Sequence, residues 1–207
     1  MHIHVVAEVS NQGENMQLID RLIAESDAGG SASESTTLSG AMIDEVGLRA
    51  AATYALTHVD RSSYLLLFAL RRQAPEMYQE LPAAVRAGIL CDALAHQHFL
   101  NDWGYLDPKG SFDGEVAIAL LALGADAIAP LRKLLDDRRE ARLFGSETAT
   151  LSRLYGYRRN DFAYRYLALI RGETPLFDPS PTARDREIER LKTSLDSEDI
   201  TGEGGHE

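Results

Sequence analysis

The sequence predicts an all-α protein, a compact helical array that follows a short N-terminal arm. From residue 41 onward, apolar side chains recur at helical spacing almost without interruption, and glycines and prolines lie between these runs. Only residues 2–9 alternate with period two, and no convincing second strand follows them. With 207 residues, 44% of them hydrophobic, the chain is long enough for one domain with a substantial core and peripheral segments.

Residues 1–26 are predicted to form the arm, with a short strand at 2–9 and an amphipathic helix at 14–24. A lone strand leaves backbone groups unpaired, so this segment either packs irregularly on the helices or pairs with another chain. The apolar side chains through which the arm would dock are Ile3, Val5, Met16, Ile19 and Ile23. Residues 27–40 are small and polar, which is typical of a flexible linker.

The helical body is predicted to cover residues 41–175. Its helices are expected at residues 41–59, 61–73, 83–100, 113–137 (a pair), 147–155 and 161–171, with a loop at 101–111. Pro75 and Pro82 mark helix starts. The residues expected to cap helix N-termini are Asp60, Asp113, Ser146, Asn160 and Thr182.

An acidic extension, residues 176–207, is predicted to contain prolines first, then one helix, and a disordered end from 197. Ile188, Leu191 and Leu195 form a narrow apolar stripe on that helix. The net charge of −11 is concentrated in the two ends of the chain, whereas residues 132–171 hold ten basic and five acidic residues. The acidic ends are expected either to stay solvated or to fold onto this basic half.

Residues 113–137 are predicted to form two short amphipathic helices, hinged at Gly124 and packed back to back. Small residues at Ala117 and Ala127 would allow close approach, with Leu120 and Leu131 at core positions. This segment resembles a HEAT repeat, and residues 161–172 resemble the first helix of another one. The resemblance implies an α-solenoid-like body with a scaffold or binding role.

One cluster has residue types that bind metals or transfer protons. Asp92 and His96 are four residues apart and share a helix face, while His98 points about 200° away on a regular helix. Asp102 and Asp107 follow in the Asp-rich loop. A metal-dependent hydrolase or ligand-binding enzyme would use these side chains. The alternative is structural, with His96 bonded to Asp92.

Two further groups of residues are candidates for binding. Trp103 and Tyr105 in the aromatic loop would either seal the core or anchor a partner. Arginines at helix ends and connections would either compensate helix dipoles or bind an anion, namely Arg138, Arg139, Arg142, Arg158 and Arg159.

The functional prediction is a non-catalytic protein–protein interaction module, an adaptor or assembly subunit whose partner is another protein or a second copy. The metal-dependent hydrolase and the anion-binding protein remain as alternatives. We assign no catalytic, cofactor or metal residue and expect no cofactor. The acidic ends make nucleic acid an unfavourable partner. The single cysteine, Cys91, and the lack of a membrane-length apolar run or a signal peptide predict a cytoplasmic protein.

Overall fold

The computed structural model describes Asp20 and residues 43–202, with only the backbone described for 199–202. The predicted strand, the apolar arm residues Ile3, Val5, Met16, Ile19 and Ile23, and the linker 27–40 lie outside these residues. The all-α prediction is confirmed, because the described chain is mostly helical and contains one two-stranded sheet. None of the described helices combines the length and apolar character that crossing a membrane requires.

The chain divides into two compact units, Met1–His96 and Gln97–Glu207. The division falls inside residues 41–175, which the sequence analysis treats as one body. The helix at the C-terminus belongs to the second unit together with the basic half.

The first unit contains α1 (Glu45–Thr57), α2 (Arg61–Gln73), α3 (Pro75–Glu80) and α4 (Ala83–His96). The predicted cap is confirmed at Asp60, whose carboxylate accepts the Ser63 N–H at 2.8 Å. Asp44 caps α1 in the same way. Helix α2 is buried on every side from Ser63 to Leu70, as its uninterrupted apolar run predicts.

Helix α4 ends at His96 rather than at residue 100 as predicted. The backbone groups that would continue it have partners far along the chain. The Gln97 carbonyl accepts from Arg159 at 2.7 Å, and the Leu100 N–H donates to the Arg142 carbonyl at 2.8 Å. These bonds fix the start of the second unit.

The second unit contains a 3₁₀ turn (Asn101–Trp103), β1 (Gly104–Tyr105), β2 (Phe112–Asp113), α5 (Glu115–Leu121), a second 3₁₀ turn (Gly124–Ala127), α6 (Ile128–Arg132), α7 (Ser146–Tyr155), α8 (Arg159–Ile170) and α9 (Pro181–Gly202). The strands pair antiparallel, Gly104 opposite Asp113 and Tyr105 opposite Phe112. The sequence predicts only a loop here, because two-residue strands leave no periodic signal.

The predicted pair of short helices forms as α5 and α6, with Gly124 at the hinge in the left-handed conformation (φ 56°). Both helices pack on α8, and each contacts α8 more extensively than it contacts the other. Helices α5 and α6 therefore pack mainly on α8 rather than back to back on each other. The resemblance to a HEAT repeat stays a prediction.

At the other predicted N-caps, a neighbouring residue occupies the cap position. The predicted side chain has another partner there, or the helix begins earlier than expected. Gly114, Gly145 and Arg158 occupy the N-cap positions of α5, α7 and α8. Asp113 instead binds Arg165, and Asn160 donates to the Leu135 carbonyl. Ser146 and Thr182 lie within the first two residues of their helices.

Helix α9 packs its predicted stripe into the second unit, since Ile188, Leu191 and Leu195 are all buried. The helix continues to Gly202, so the prediction of disorder from residue 197 is wrong for 197–202; residues 203–207 are not described. Ion pairs attach this acidic helix to the basic half: Asp185 to Arg158, Asp196 to Arg132, and Glu198 to Arg171.

Candidate functional site

The second unit contains a solvent-open groove of about 620 Å³. One wall is the loop between β1 and β2, the floor comes from α8, and the other wall is the segment that joins α8 to α9. The lining residues are Asp107–Ser111 on the first wall, Arg165 and Leu169 on the floor, and Thr174–Pro179 on the second wall. This volume lies in the range of ligand and peptide sites.

The second wall, Thr174–Asp178, is a segment outside any helix or sheet. Its side chains alternate between exposed (Thr174, Leu176, Asp178) and half-buried (Pro175, Phe177), which is the period of a β-strand. Leu176 is 61% exposed. The wall is therefore strand-like in its pattern of exposure, and it has no partner strand among the described residues.

Phe177 holds this wall in place. Its ring makes edge contacts with Tyr157 and Tyr155, at centroid distances of 5.4 and 6.0 Å. The Arg184 guanidinium lies 4.6 Å from the Phe177 centroid and donates to the carbonyls of Asp178 and Pro179. Side chains, rather than a backbone ladder, thus fix the position of the segment.

Most backbone groups of this wall form no hydrogen bond with a described residue. Leu176 N–H donates to the Tyr164 hydroxyl at 3.5 Å, a long bond. The N–H groups of Thr174 and Phe177, and the carbonyls of Thr174–Phe177, form no hydrogen bond with any described residue. Burial raises the pKa of Tyr164, so its hydroxyl remains protonated at neutral pH.

The first wall is closed by its own hydrogen bonds. The Asp107 N–H donates to the Ser111 hydroxyl at 3.1 Å, and the Asp107 carboxylate accepts the Lys109 N–H at 2.7 Å. Gly110 N–H completes the turn by donating to the Asp107 carbonyl. These bonds hold the loop in a turn.

The floor carries a neutralised cation. Arg165 contacts both carboxylate oxygens of Asp113, at 2.8 and 2.9 Å. Among the other lining residues, Asp107, Asp178 and Lys109 form no ion pair with a described residue. The groove therefore presents two uncompensated carboxylates against one ammonium group.

Asp92 and His96 are brought together as their spacing predicts. His96 Nδ1 lies 3.0 Å from an Asp92 carboxylate oxygen, and the His96 side chain is 63% exposed. His98 instead packs edge-on against Phe99. In the described part of the chain, no three His, Cys, Asp or Glu side chains are arranged to hold a metal ion.

The acidic loop residues of the metal hypothesis have separate roles. Asp107 closes the first wall of the groove, and Asp113 binds Arg165. Asp102 lies in the first 3₁₀ turn. Cys91 is buried, and burial raises the pKa of its thiol to about 12, so it remains a neutral thiol at physiological pH.

Trp103 is only 1% exposed, so its indole seals the core, and its carbonyl accepts the Tyr166 hydroxyl at 2.7 Å. Tyr105 is half-buried and stacks on exposed Phe112. Of the two aromatic candidates, Tyr105 alone reaches the surface of the folded chain.

The five arginines proposed as an anion patch all have intramolecular partners. Arg158 contacts Asp161 and Asp185, and Arg159 is buried beneath the Gln97 carbonyl. Ion pairs also join Arg138 to Asp185, Arg139 to Asp137, and Arg142 to Glu140. An anion would have to compete with these carboxylates.

Sequence reasoning missed the second wall, because GETPLFDPSP reads as a proline-rich connector. The available signal was Leu176-Phe177, two large apolar residues inside a proline-rich stretch. Comparisons of the chain with protein family models, curated proteins and solved structures found no match.

Proposed function

We propose that this chain is a non-catalytic protein-interaction module and that the groove of the second unit is its binding surface. One observation supports this most strongly: the wall Thr174–Asp178 is pinned by Phe177 yet leaves backbone donors and acceptors unused. Unsatisfied backbone groups on a fixed, exposed edge favour pairing with another chain.

The exposure of Leu176 adds to this support. A side chain of this size that is 61% exposed beside a groove gives apolar contact area to a partner. The charged side chains of the two walls, Asp107, Lys109 and Asp178, would select partners more than they add affinity.

The test is site-specific photo-crosslinking in cells of the native host, with the full chain. Leu176→p-benzoylphenylalanine places the probe on the groove wall, and Leu154→p-benzoylphenylalanine is the matched control, because Leu154 is 68% exposed and does not line the groove. We expect a discrete crosslinked protein, or a crosslinked dimer of this chain, from position 176 only. Equal crosslinking from both positions, or none from 176, contradicts the proposal.

A further inference from the structure

We propose that the groove binds an extended, basic peptide segment of a partner protein, which adds as a strand beside Thr174–Asp178. This inference rests on the proposed function and specifies the partner chemistry. It follows from three features of the second unit: an unpartnered strand-like edge, a preformed wall opposite it, and an excess of carboxylates.

The edge has the geometry that strand addition needs. Exposure alternates from Thr174 to Asp178 as it does along a β-strand. Alternate residues of such a strand share an edge, so the Thr174 N–H and the carbonyls of Thr174 and Leu176 lie on one edge, and the Phe177 N–H and carbonyl lie on the other; none of these groups has a partner among the described residues. Main-chain hydrogen bonds give affinity in this mode of recognition, and side-chain pockets give selectivity. Five residues of extended chain span about 17 Å, so a short peptide is sufficient.

The edge is also preorganised. Phe177 is held by Tyr155, Tyr157 and Arg184, and the Arg184 guanidinium also binds the Asp178 and Pro179 carbonyls. A peptide would therefore meet a segment that has already lost its conformational freedom, which removes part of the entropic cost of binding. Pro175 lacks an N–H, so it limits the ladder and discourages indefinite pairing between copies.

Charge decides which peptide fits. Asp107 on one wall and Asp178 on the other form no ion pair with described residues, whereas Arg165 is neutralised by Asp113. Lys109 balances one of the two carboxylates. The net charge of −11 on the whole chain acts in the same direction, because it attracts a basic segment over longer range.

The direct experiment titrates ¹⁵N-labelled full chain with a six-residue peptide of alternating lysine and valine, both ends blocked. Its comparison peptides alternate glutamate and valine, or carry N-methyl groups on alternate residues of the lysine peptide. We expect the lysine peptide to shift the amide signals of Thr174, Phe177 and Lys109–Ser111. N-methylation should weaken binding at least about tenfold, because it removes the donors of one peptide edge.

Variants test the charge argument. Asp107→Asn and Asp178→Asn keep an acceptor for the Lys109 and Ser180 N–H groups, so the walls should stay intact. Each should weaken lysine-peptide binding by about two- to fivefold. Asp126→Asn is the control, since Asp126 is exposed and does not line the groove.

Three results would overturn this inference: no shift at residues 174–178 with millimolar lysine peptide, equal binding of the glutamate peptide, or unchanged binding after N-methylation. A protein crosslinked through position 176 together with any of these results would retain the proposed function and reject strand addition. Absence of a crosslinked protein would reject the proposed function itself.

Discussion

Arg184 Nε lies 3.1 Å from the Asp161 carboxylate, and the two side chains are 1% and 0% exposed. Arg184 lies in the first turn of α9 and Asp161 in the first turn of α8, so the pair fastens the acidic C-terminal helix to the body of the second unit. The same guanidinium binds four backbone carbonyls, those of Tyr155, Gly156, Asp178 and Pro179. It thereby also fixes the groove wall.

Removing one member of this pair should destabilise the chain strongly. Asp161→Asn leaves the Arg184 charge buried without its carboxylate, and we expect a loss of about 3–5 kcal/mol in the free energy of unfolding. Urea titration measures it. Arg153→Met, at an exposed arginine, is the control and should change stability by less than about 0.5 kcal/mol. A loss below 1 kcal/mol for Asp161→Asn would contradict the buried pair.

The cap at Asp60 should stabilise α2. Asp60→Ala removes the acceptor for the Ser63 N–H, and we expect a cost of about 0.5–2 kcal/mol at pH 7. Glu80→Ala, at an exposed position, should cost less than about 0.5 kcal/mol. Equal effects of the two changes in urea titration would count against the cap.

The effect of Asp60 should depend on pH. Burial alone raises the pKa of this carboxyl, but hydrogen bonds from Ser63 and Tyr54 outweigh it, so the pKa is lowered in the folded chain. The stabilisation is therefore complete above the unfolded pKa of about 3.9 and is lost as pH falls through the lower folded value. Urea titrations from pH 7 downward should show the difference between wild type and Asp60→Ala shrinking below about pH 4. A difference that stays constant to the lowest pH would be evidence against this linkage.

Gly104 should tolerate no side chain. Its φ of 94° is in the region that favours glycine, and a Cβ there would overlap the Phe112 carbonyl across the hairpin. We expect Gly104→Ala to cost at least about 1–3 kcal/mol. Gly88→Ala meets open space within α4 and should be neutral or stabilising by up to about 1 kcal/mol. Thermal unfolding of both variants checks this. Similar melting temperatures would refute the close contact between Gly104 and the Phe112 carbonyl.

The stripe of α9 should behave as core. Leu191 is fully buried, so Leu191→Ala should cost about 2–5 kcal/mol through lost burial and a residual cavity. The matched truncation Leu154→Ala, at a residue 68% exposed, should have little effect. Denaturant unfolding distinguishes them. If Leu191→Ala were neutral, the C-terminal helix would be dispensable to the fold.

Local signals made much of the fold predictable. Four features depend only on a few neighbouring residues, and the structure has them as expected: the cap at Asp60, the helix start at Pro75, the hinge at Gly124 and the apolar stripe of α9. Several other helix starts shifted by one or two residues. Tertiary partners occupy the side chains of Asn160 and Asp113, whereas α7 and α9 begin earlier than their predicted caps allow.

The groove was beyond prediction, because its walls lie far apart along the chain. Asp107 and Asp178 are brought to one surface by the packing of α8. The contact between Arg165 and Asp113 spans 52 residues and leaves no periodic pattern. Likewise, the charges of the arginine-rich half are visible in the sequence, whereas their carboxylate partners are not.

The helical class and the faces that must be buried follow from the sequence alone, since apolar periodicity and caps act over a few residues. Long-range packing places α9 against the basic half, Trp103 in the core, and Thr174–Asp178 at the surface beside the groove. These outcomes depend on which polar groups, distant in the sequence, form hydrogen bonds or ion pairs when they are buried. A pattern of neighbouring residues does not indicate those partners.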